Sequence, residues 1–410
     1  MRKIFISLIA MFSLILIWIN GALYSEDFSH AEIEKDIILQ QNFIENELKN
    51  NNAGEKMQEI FPEGFVFIHA LYGLTWCDLV KASPKAMASK KSKALKEALF
   101  AYDKINTLEA MSTFDSDMTP YNGIFYIGWK NYLLSNILEM DTTFTNFERY
   151  KADFEGQCEV IKNTLKESNS PYLESYPNQS WPADMSLAMA SLKKHDLIFK
   201  PKYEREIKQW IIDIKAKLDP VTKLIPHKVK ARTGLSSEGA RGGSTGLIIK
   251  ILEEIDPVFA KQQYDIYKTL FVSKTFGLPS VSEYPKGQNG SADVDSGPII
   301  FGVGFSGTIF SIGTFAKLGD YSLSEMQYKA INAFGFANKF SGKKKYLFGN
   351  IPIADAFIDW GRTSQINSKA VNSKTPMLWG MKFHLISILG LGFIWILLFY
   401  QTISKKMMGY

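Results

Sequence analysis

Apolar residues recur three and four positions apart along most of this chain, the spacing that builds one face of a helix. Phe147, Tyr150, Phe154, Cys158, Ile161 and Leu165 form one such face, and Tyr203, Ile207, Trp210, Ile214 and Leu218 another. Residues 33–48, 94–105, 259–270 and 323–334 read the same way. Polar residues fill the opposite side of each, so each predicts a helix with one solvent face. Between them lie stretches rich in glycine, alanine and aromatics and poor in charge: 65–79, 121–138, 181–192, 239–252, 298–318 and 353–360. A helix that is apolar nearly all round is buried nearly all round. The pattern therefore predicts solvent-faced and buried helices alternating six times.

A proline marks the approach to each buried stretch. The instances are Phe61-Pro62-Glu63-Gly64, Thr119-Pro120-Tyr121-Asn122, Tyr176-Pro177-Asn178-Gln179, Ile225-Pro226-His227-Lys228, Tyr284-Pro285-Lys286-Gly287 and Ile351-Pro352-Ile353-Ala354, spaced by roughly 50 to 70 residues. Recurrence at a near-constant period signals a repeat architecture. Proline suits these places because it ends one helical connection and sets the backbone for the next. The arrangement resembles the all-α (α/α)6 toroid of six outer/inner helical hairpins. An open array of helical pairs would need polar capping repeats, and the first and last hairpins here look like the others. Residues 26–365 are read as one toroid domain.

Both ends of the chain are apolar. Residues 4–19 follow Arg2 and Lys3 without a charge, so 1–24 reads as a signal peptide or a signal anchor. Residues 383–403 are long enough to cross a bilayer and are followed by Lys405 and Lys406. This reads as a transmembrane helix, with 366–382 a linker and 404–410 a cytoplasmic tail. Basic residues at both tips place them in the cytoplasm and the body outside it, on the periplasmic side of the inner membrane.

Composition narrows the classes. The chain has 410 residues, 46% of them apolar, and a net charge of +5 with its lysines scattered. A large core is available, and no basic tract points to nucleic acid. Two distant cysteines and five dispersed histidines supply no metal-ligand spacing, so no metal is expected. Gly302, Gly304 and Gly307 match a bare dinucleotide spacing but lack a βαβ context, so no cofactor is expected.

In a ring of hairpins every outer-to-inner connection emerges at the same end. The polar residues of the six loops then share one cavity mouth. The fifth loop carries Glu283, Asp293 and Asp295, and Asp184 sits in an otherwise small, apolar helix. Like charges held close raise one pKa, which keeps a general acid protonated. These four are the catalytic candidates. Tyr121, Trp129, Tyr176, Asn178, Gln179, Trp181, Arg241 and Tyr284 are the substrate-binding candidates, as aromatic walls, polar contacts and a guanidinium. For Arg241 a structural ion pair with Asp184 or Glu238 is the competing expectation. Glu63, His69, Asp78, His227, Glu238, Asp355 and Asp359 are further polar cargo of these loops and of the helices they lead into.

The stretches Tyr176-Pro-Asn-Gln-Ser-Trp-Pro-Ala-Asp, Glu238-Gly-Ala-Arg-Gly-Gly-Ser, Glu283-Tyr-Pro-Lys-Gly and Asp293-Val-Asp-Ser-Gly-Pro resemble membrane-tethered bacterial proteins of the linalool dehydratase/isomerase-like group. That enzyme's chemistry uses cavity cysteines with an acid. Here only Cys77 is expected to point inward, so that chemistry does not carry over. Three readings follow. The first is a membrane-anchored enzyme that uses cavity carboxylates on a glycan. The second is a lyase, hydratase or isomerase for a small apolar, terpenoid-like molecule. The third is a non-catalytic binding protein of the cell envelope.

Overall fold

The computed structural model describes residues 2–24, 29–294, 296–366, 376 and 378–407. Two apolar helices bracket the chain, α1 (Arg2–Ala22) and α16 (Met381–Met407). Between them six outer helices alternate with six inner ones. The outer set is α2 (His30–Asn50), α5 (Lys91–Ile105), α8 (Phe147–Glu167), α10 (Glu204–Lys215), α12 (Pro257–Phe271) and α14 (Tyr321–Phe334). The inner set is α4 (Gly64–Ala82), α7 (Gly123–Met140), α9 (Pro182–Ile198), α11 (Gly242–Ile255), α13 (Phe305–Lys317) and α15 (Pro352–Thr363). Two short helices, α3 (Ala53–Ile60) and α6 (Leu108–Met111), fill connections.

Each inner helix packs against two others, in the order α4, α7, α9, α11, α13, α15 and back to α4. The ring is therefore closed, and the fold is the expected (α/α)6 toroid. The inner helices are buried nearly all round, as their charge-poor sequences require. The outer helices pack mainly against the inner helix that precedes them: α5 on α4, α8 on α7, α12 on α11 and α14 on α13. The first outer helix has no predecessor, so α2 lies on α15, the last inner helix.

That closing seam is polar and buried. Gln40 Nε2 donates to the Asp355 carbonyl at 2.7 Å, and Gln41 Nε2 to Asp359 Oδ2 at 3.0 Å. Asp36 meets Lys344 at 3.0 Å, Lys339 at 2.7 Å and Arg362 at 3.8 Å. Burial alone would raise the Asp36 carboxyl, but these three cations hold it down at about 2. Burial pushes Asp355 and Asp359 well above the usual carboxylate range.

The two ends of the ring differ. Inner-to-outer turns are short, down to the single residue Asp256, which caps α12 by accepting from Phe259 N–H. Outer-to-inner connections are long and carry all the strands among the described residues: β1 (Gln179–Ser180), β2 (Lys228–Lys230), β3 (Ser236–Glu238), β4 (Val272–Thr275), β5 (Leu278–Val281), β6 (Ile299–Ile300), β7 (Val303–Gly304), β8 (Asn338–Phe340) and β9 (Lys343–Lys345). β1, β2 and β3 form one antiparallel sheet, and β4–β5, β6–β7 and β8–β9 are hairpins. The sequence pattern put residues 298–318 in one buried helix; the first of these form the β6–β7 hairpin instead. Gly302, at φ +79°, makes its turn.

At the short-turn end the inner helices plug the hole with charge. Lys194 pairs with Glu139 at 2.9 Å and Glu254 at 3.5 Å, Lys317 with Glu254 at 3.4 Å, and Tyr132 OH donates to Glu254 at 3.0 Å. Trp360 Nε1 donates to Asp78 at 3.0 Å. Lys250 sits in this plug with its ammonium over the Trp360 ring. It has no hydrogen-bond partner among the described residues. Burial pulls its pKa down to about 7.

The terminal helices run antiparallel. Trp395 Nε1 donates to Ser13 Oγ at 3.1 Å, and His384 meets Asn20 and Tyr24 near the other end. Both are long and apolar enough to cross a membrane and are mostly exposed. α4 is also long and apolar enough, though much less apolar than these two, and the ring buries it.

Two stability outcomes follow. Asp36→Asn strands Lys344 in the seam and should cost about 3–5 kcal/mol in thermal or denaturant unfolding. The Asp36 contribution is present above pH 3.8 and is lost as pH falls toward 2. Lys250→Met removes a buried amine that has no hydrogen-bond partner among the described residues and should raise stability by about 1–4 kcal/mol. Its advantage over the wild type should be full below pH 7 and vanish as pH rises toward 10.5.

Candidate functional site

The first two turns of all six inner helices and the long loops above them enclose a cavity of about 280 Å3. Its floor is aromatic. Phe67 packs on Phe125 at 4.9 Å and Phe357 at 5.4 Å between ring centroids, and Phe357 on Phe310 at 4.4 Å. Trp129 and Trp360 meet edge-on, and Trp129 touches Phe67 at 5.0 Å. With the ion network behind these indoles, the cavity is a blind pocket.

Three carboxylates reach the lining: Glu63, Asp184 and Glu283. They belong where helix N-termini converge, since those ends carry partial positive charge. Glu63 is the N-cap residue of α4 and accepts from Tyr176 OH. Asp184 lies in the first turn of α9, after Pro182. Ser175 Oγ donates to its Oδ2 at 2.7 Å and accepts from Trp181 N–H at 3.1 Å, so the third loop holds the carboxylate in place.

Glu283 is fixed by two helix starts. Its carbonyl accepts from Gly242 N–H at 2.8 Å, and its Oε1 accepts from Arg241 Nε at 2.8 Å. A Cβ at Gly304 would fall within 2.5 Å of Glu283 Oε2. The absent side chain is what lets the carboxylate in; close approach accounts for this glycine. Arg241 also binds Asp293, and its guanidinium lies 5.3 Å from the Tyr284 ring centroid. One cation thus serves two acids, with Glu238 a third at 3.8 Å. Burial works against the Asp293 anion, but Arg241 and the Ser296 N–H hold its pKa below the usual value.

His227 completes the polar end. Its Nδ1 lies 2.9 Å from Ser244 Oγ, and its ring meets Trp181 edge-on at 6.4 Å. Burial, with help from Arg241, drives its pKa down to about 3, so the imidazole is neutral at physiological pH.

Of the residues singled out from sequence, Asp184, Glu283, Tyr176 and Trp181 line the cavity. Arg241, Asp293 and Tyr284 form the layer behind Glu283; the expected Arg241 ion pair with Glu238 is present but long, at 3.8 Å, and the closer partners are Glu283 and Asp293. Asp295 lies outside the described residues. Four assignments are corrected. Tyr121 is exposed, before its helix begins. Trp129 is fully buried beneath the floor. Asn178 faces a groove on the outside of the ring, with Asp115 and Arg232. Gln179 pairs through its backbone with Lys230 of β2, and its exposed side chain is not part of the cavity lining. Asp355 and Asp359 went to the closing seam. Glu63 and His227 stood among the loop cargo, but nothing local marked them as cavity-facing. Ser244 and the Phe floor had no sequence signal beyond inner-helix membership.

No protein-family model and no curated protein matches the chain. Among solved structures it is similar to a family 105 glycoside hydrolase of C. acetobutylicum ATCC 824, at 14% identity over 72% of this chain and 93% of that one, TM-score 0.45. It is also similar to a GH76 α-mannanase of Bacteroides thetaiotaomicron, at 13% identity over 73% and 86%, TM-score 0.44. A polysaccharide lyase is similar at 12% identity over 78% and 97%, TM-score 0.38. The toroid here rests on the helix contacts of the chain itself.

The neutral His227 gives a pH signature. Its ring resonances should not titrate between pH 5 and 8 in an NMR titration of labelled histidine. Its share of stability is full above pH 6.5 and is lost as pH falls toward 3, so His227→Gln should flatten unfolding stability across that window.

Proposed function

We propose that this protein is a membrane-anchored acid–base enzyme that breaks a C–O bond in a glycan bearing an apolar group. The observation that carries this is the two-ended cavity: carboxylates, His227 and the Trp181 and Tyr176 rings at one end, phenylalanines at the other. Aromatic rings beside carboxylates suit a sugar, whose C–H face stacks while its hydroxyls find acceptors. The Phe67, Phe125, Phe310 and Phe357 floor offers nothing to a hydroxyl and suits an alkyl or prenyl portion.

Glu283, ion-paired with Arg241, acts as the base or nucleophile. Asp184, oriented by Ser175, acts as the acid on the leaving oxygen. Glu63 and His227 position the sugar hydroxyls. Arg241 and Asp293 hold Glu283 in place and take no part in proton transfer. The terminal helices anchor the body outside the cytoplasm, with both basic tips inside. A second reading is a dehydratase or isomerase of a small apolar alcohol. The Phe floor favours it, and so does the motif resemblance to the linalool dehydratase/isomerase-like group. Both readings use the same acid–base pair.

Turnover by the full chain in detergent should be screened on alkyl glycosides, glycolipids and terpenoid alcohols. The expected outcome is turnover of an alkyl-bearing glycan that falls by about 10²–10⁴-fold in Asp184→Asn and in Glu283→Gln, with the fold retained. Turnover of the alcohols alone selects the second reading. A set of substrates with no turnover, or variants as active as the wild type, would overturn the acid–base assignment.

A further inference from the structure

Three turns at the mouth end of the ring carry the same dipeptide at the tip: Phe276-Gly277 in β4–β5, Phe301-Gly302 in β6–β7, and Phe348-Gly349 before α15. In each, both residues have positive φ: +51° and +91°, +53° and +79°, +62° and +86°. A turn of that shape favours asparagine or glycine first, because a Cβ clashes in the left-handed region. A bulky residue there carries local strain. Water gives no return, since Phe301 is 77% and Phe348 72% exposed. A Phe that is unfavourable in both respects, three times over on one end of a ring, points to a non-aqueous neighbour.

The surroundings name that neighbour. A Cβ at Gly277 would come within 2.7 Å of the Lys382 side chain, so the first tip rests on the start of α16. Phe276 meets Phe301 edge-on at 5.2 Å. Phe334 meets Phe383 of α16 at 5.7 Å, and Phe336, two residues on, stacks on Phe348 at 6.2 Å. Leu278 and the end of α14 pack against Ile19, Leu23 and Phe383 of the two terminal helices. The tips are thus continuous with the point where both candidate spans leave the body. Lys274 lies in the first hairpin and Lys382 against its tip glycine, and both suit anionic headgroups.

We propose that the mouth end of the toroid is a lipid-docking face, with Phe276, Phe301 and Phe348 seated in the interfacial layer of the bilayer. This rests on the reading of α1 and α16 as membrane spans. The consequence concerns the cavity. Pro298 lines it one residue before β6, and Ile351 lines it two residues after Gly349. The loops that dock on lipid are the loops that form the rim. The cavity therefore opens toward the membrane and receives an amphiphile from it, apolar portion included.

The test uses the full chain in nanodiscs of phosphatidylethanolamine and phosphatidylglycerol. Single cysteines at Phe301→Cys and Phe348→Cys are labelled with an environment-sensitive dye; native Cys77 and Cys158 are buried. Leu389→Cys on α16 is the lipid reference, and Thr142→Cys at the short-turn end is the aqueous one. Phe276→Cys supplies a third tip if either variant misfolds. The expected result is blue-shifted emission at 301 and 348, quenching by doxyl lipid as at 389, and iodide quenching several-fold weaker than at 142. Tips that respond like 142 while 389 reports lipid overturn the docking face and leave the spans intact. Iodide quenching at 389 itself overturns the spans and the docking face together.

Discussion

Ring closure is the constraint on which the rest of this structure depends. Each outer helix covers the inner helix before it, so the last inner helix is left for the first outer helix to cover. The two meet across some three hundred residues of sequence, through Asp36, Gln40 and Gln41 on one side and Asp355, Asp359 and Arg362 on the other. An apolar seam would tolerate a shift along the helix axes. Directional hydrogen bonds to buried groups do not, because a slipped register leaves them unsatisfied. The seam thus fixes the height of α15 against α2, and with the closed ring the level at which six helix N-termini meet.

The cavity follows from that level. Six N-termini pointing at one space favour carboxylates there and lysines at the opposite end, and the chain carries both. The phenylalanine and tryptophan layers separate the two charge sets. They also keep the pocket blind, so a ligand enters only from the loop side. Glycines at the starts of α11 and α13 then bring the Glu283 loop inward. Without them the Glu283 carboxylate would stand off the ring.

The ring was legible in the sequence because its signal is repeated. Amphipathic and charge-poor segments alternate six times, and each alternation reinforces the others. The candidate site was less legible. Asp184 showed itself as a carboxylate in an apolar helix start, and Glu283 as an acid in a long glycine-rich loop. Trp129 and Asn178 have the same local look as Trp181 and Tyr176. Their separation is a matter of helix phase and loop path: Trp129 is a turn deeper than the cavity, and Asn178 turns outward at φ +64°. Asp355 and Asp359 are likewise acids on an inner helix, but the Asp359 carboxylate meets Gln41 of α2 and the Asp355 carboxylate accepts from the Tyr346 N–H, and no local pattern encodes which neighbour a helix face meets. The hairpins escaped notice because strands of two to four residues leave no alternation to read.

The central claim is that one blind pocket at the converging N-termini holds the substrate. A structure of the full chain with a bound non-hydrolysable alkyl thioglycoside tests it most directly. The sugar is expected against Trp181, within hydrogen-bond reach of Asp184 and Glu283, and the alkyl chain between Phe67 and Phe357. A ligand found only in the outer groove beside Asn178, with the ring cavity empty, would contradict it.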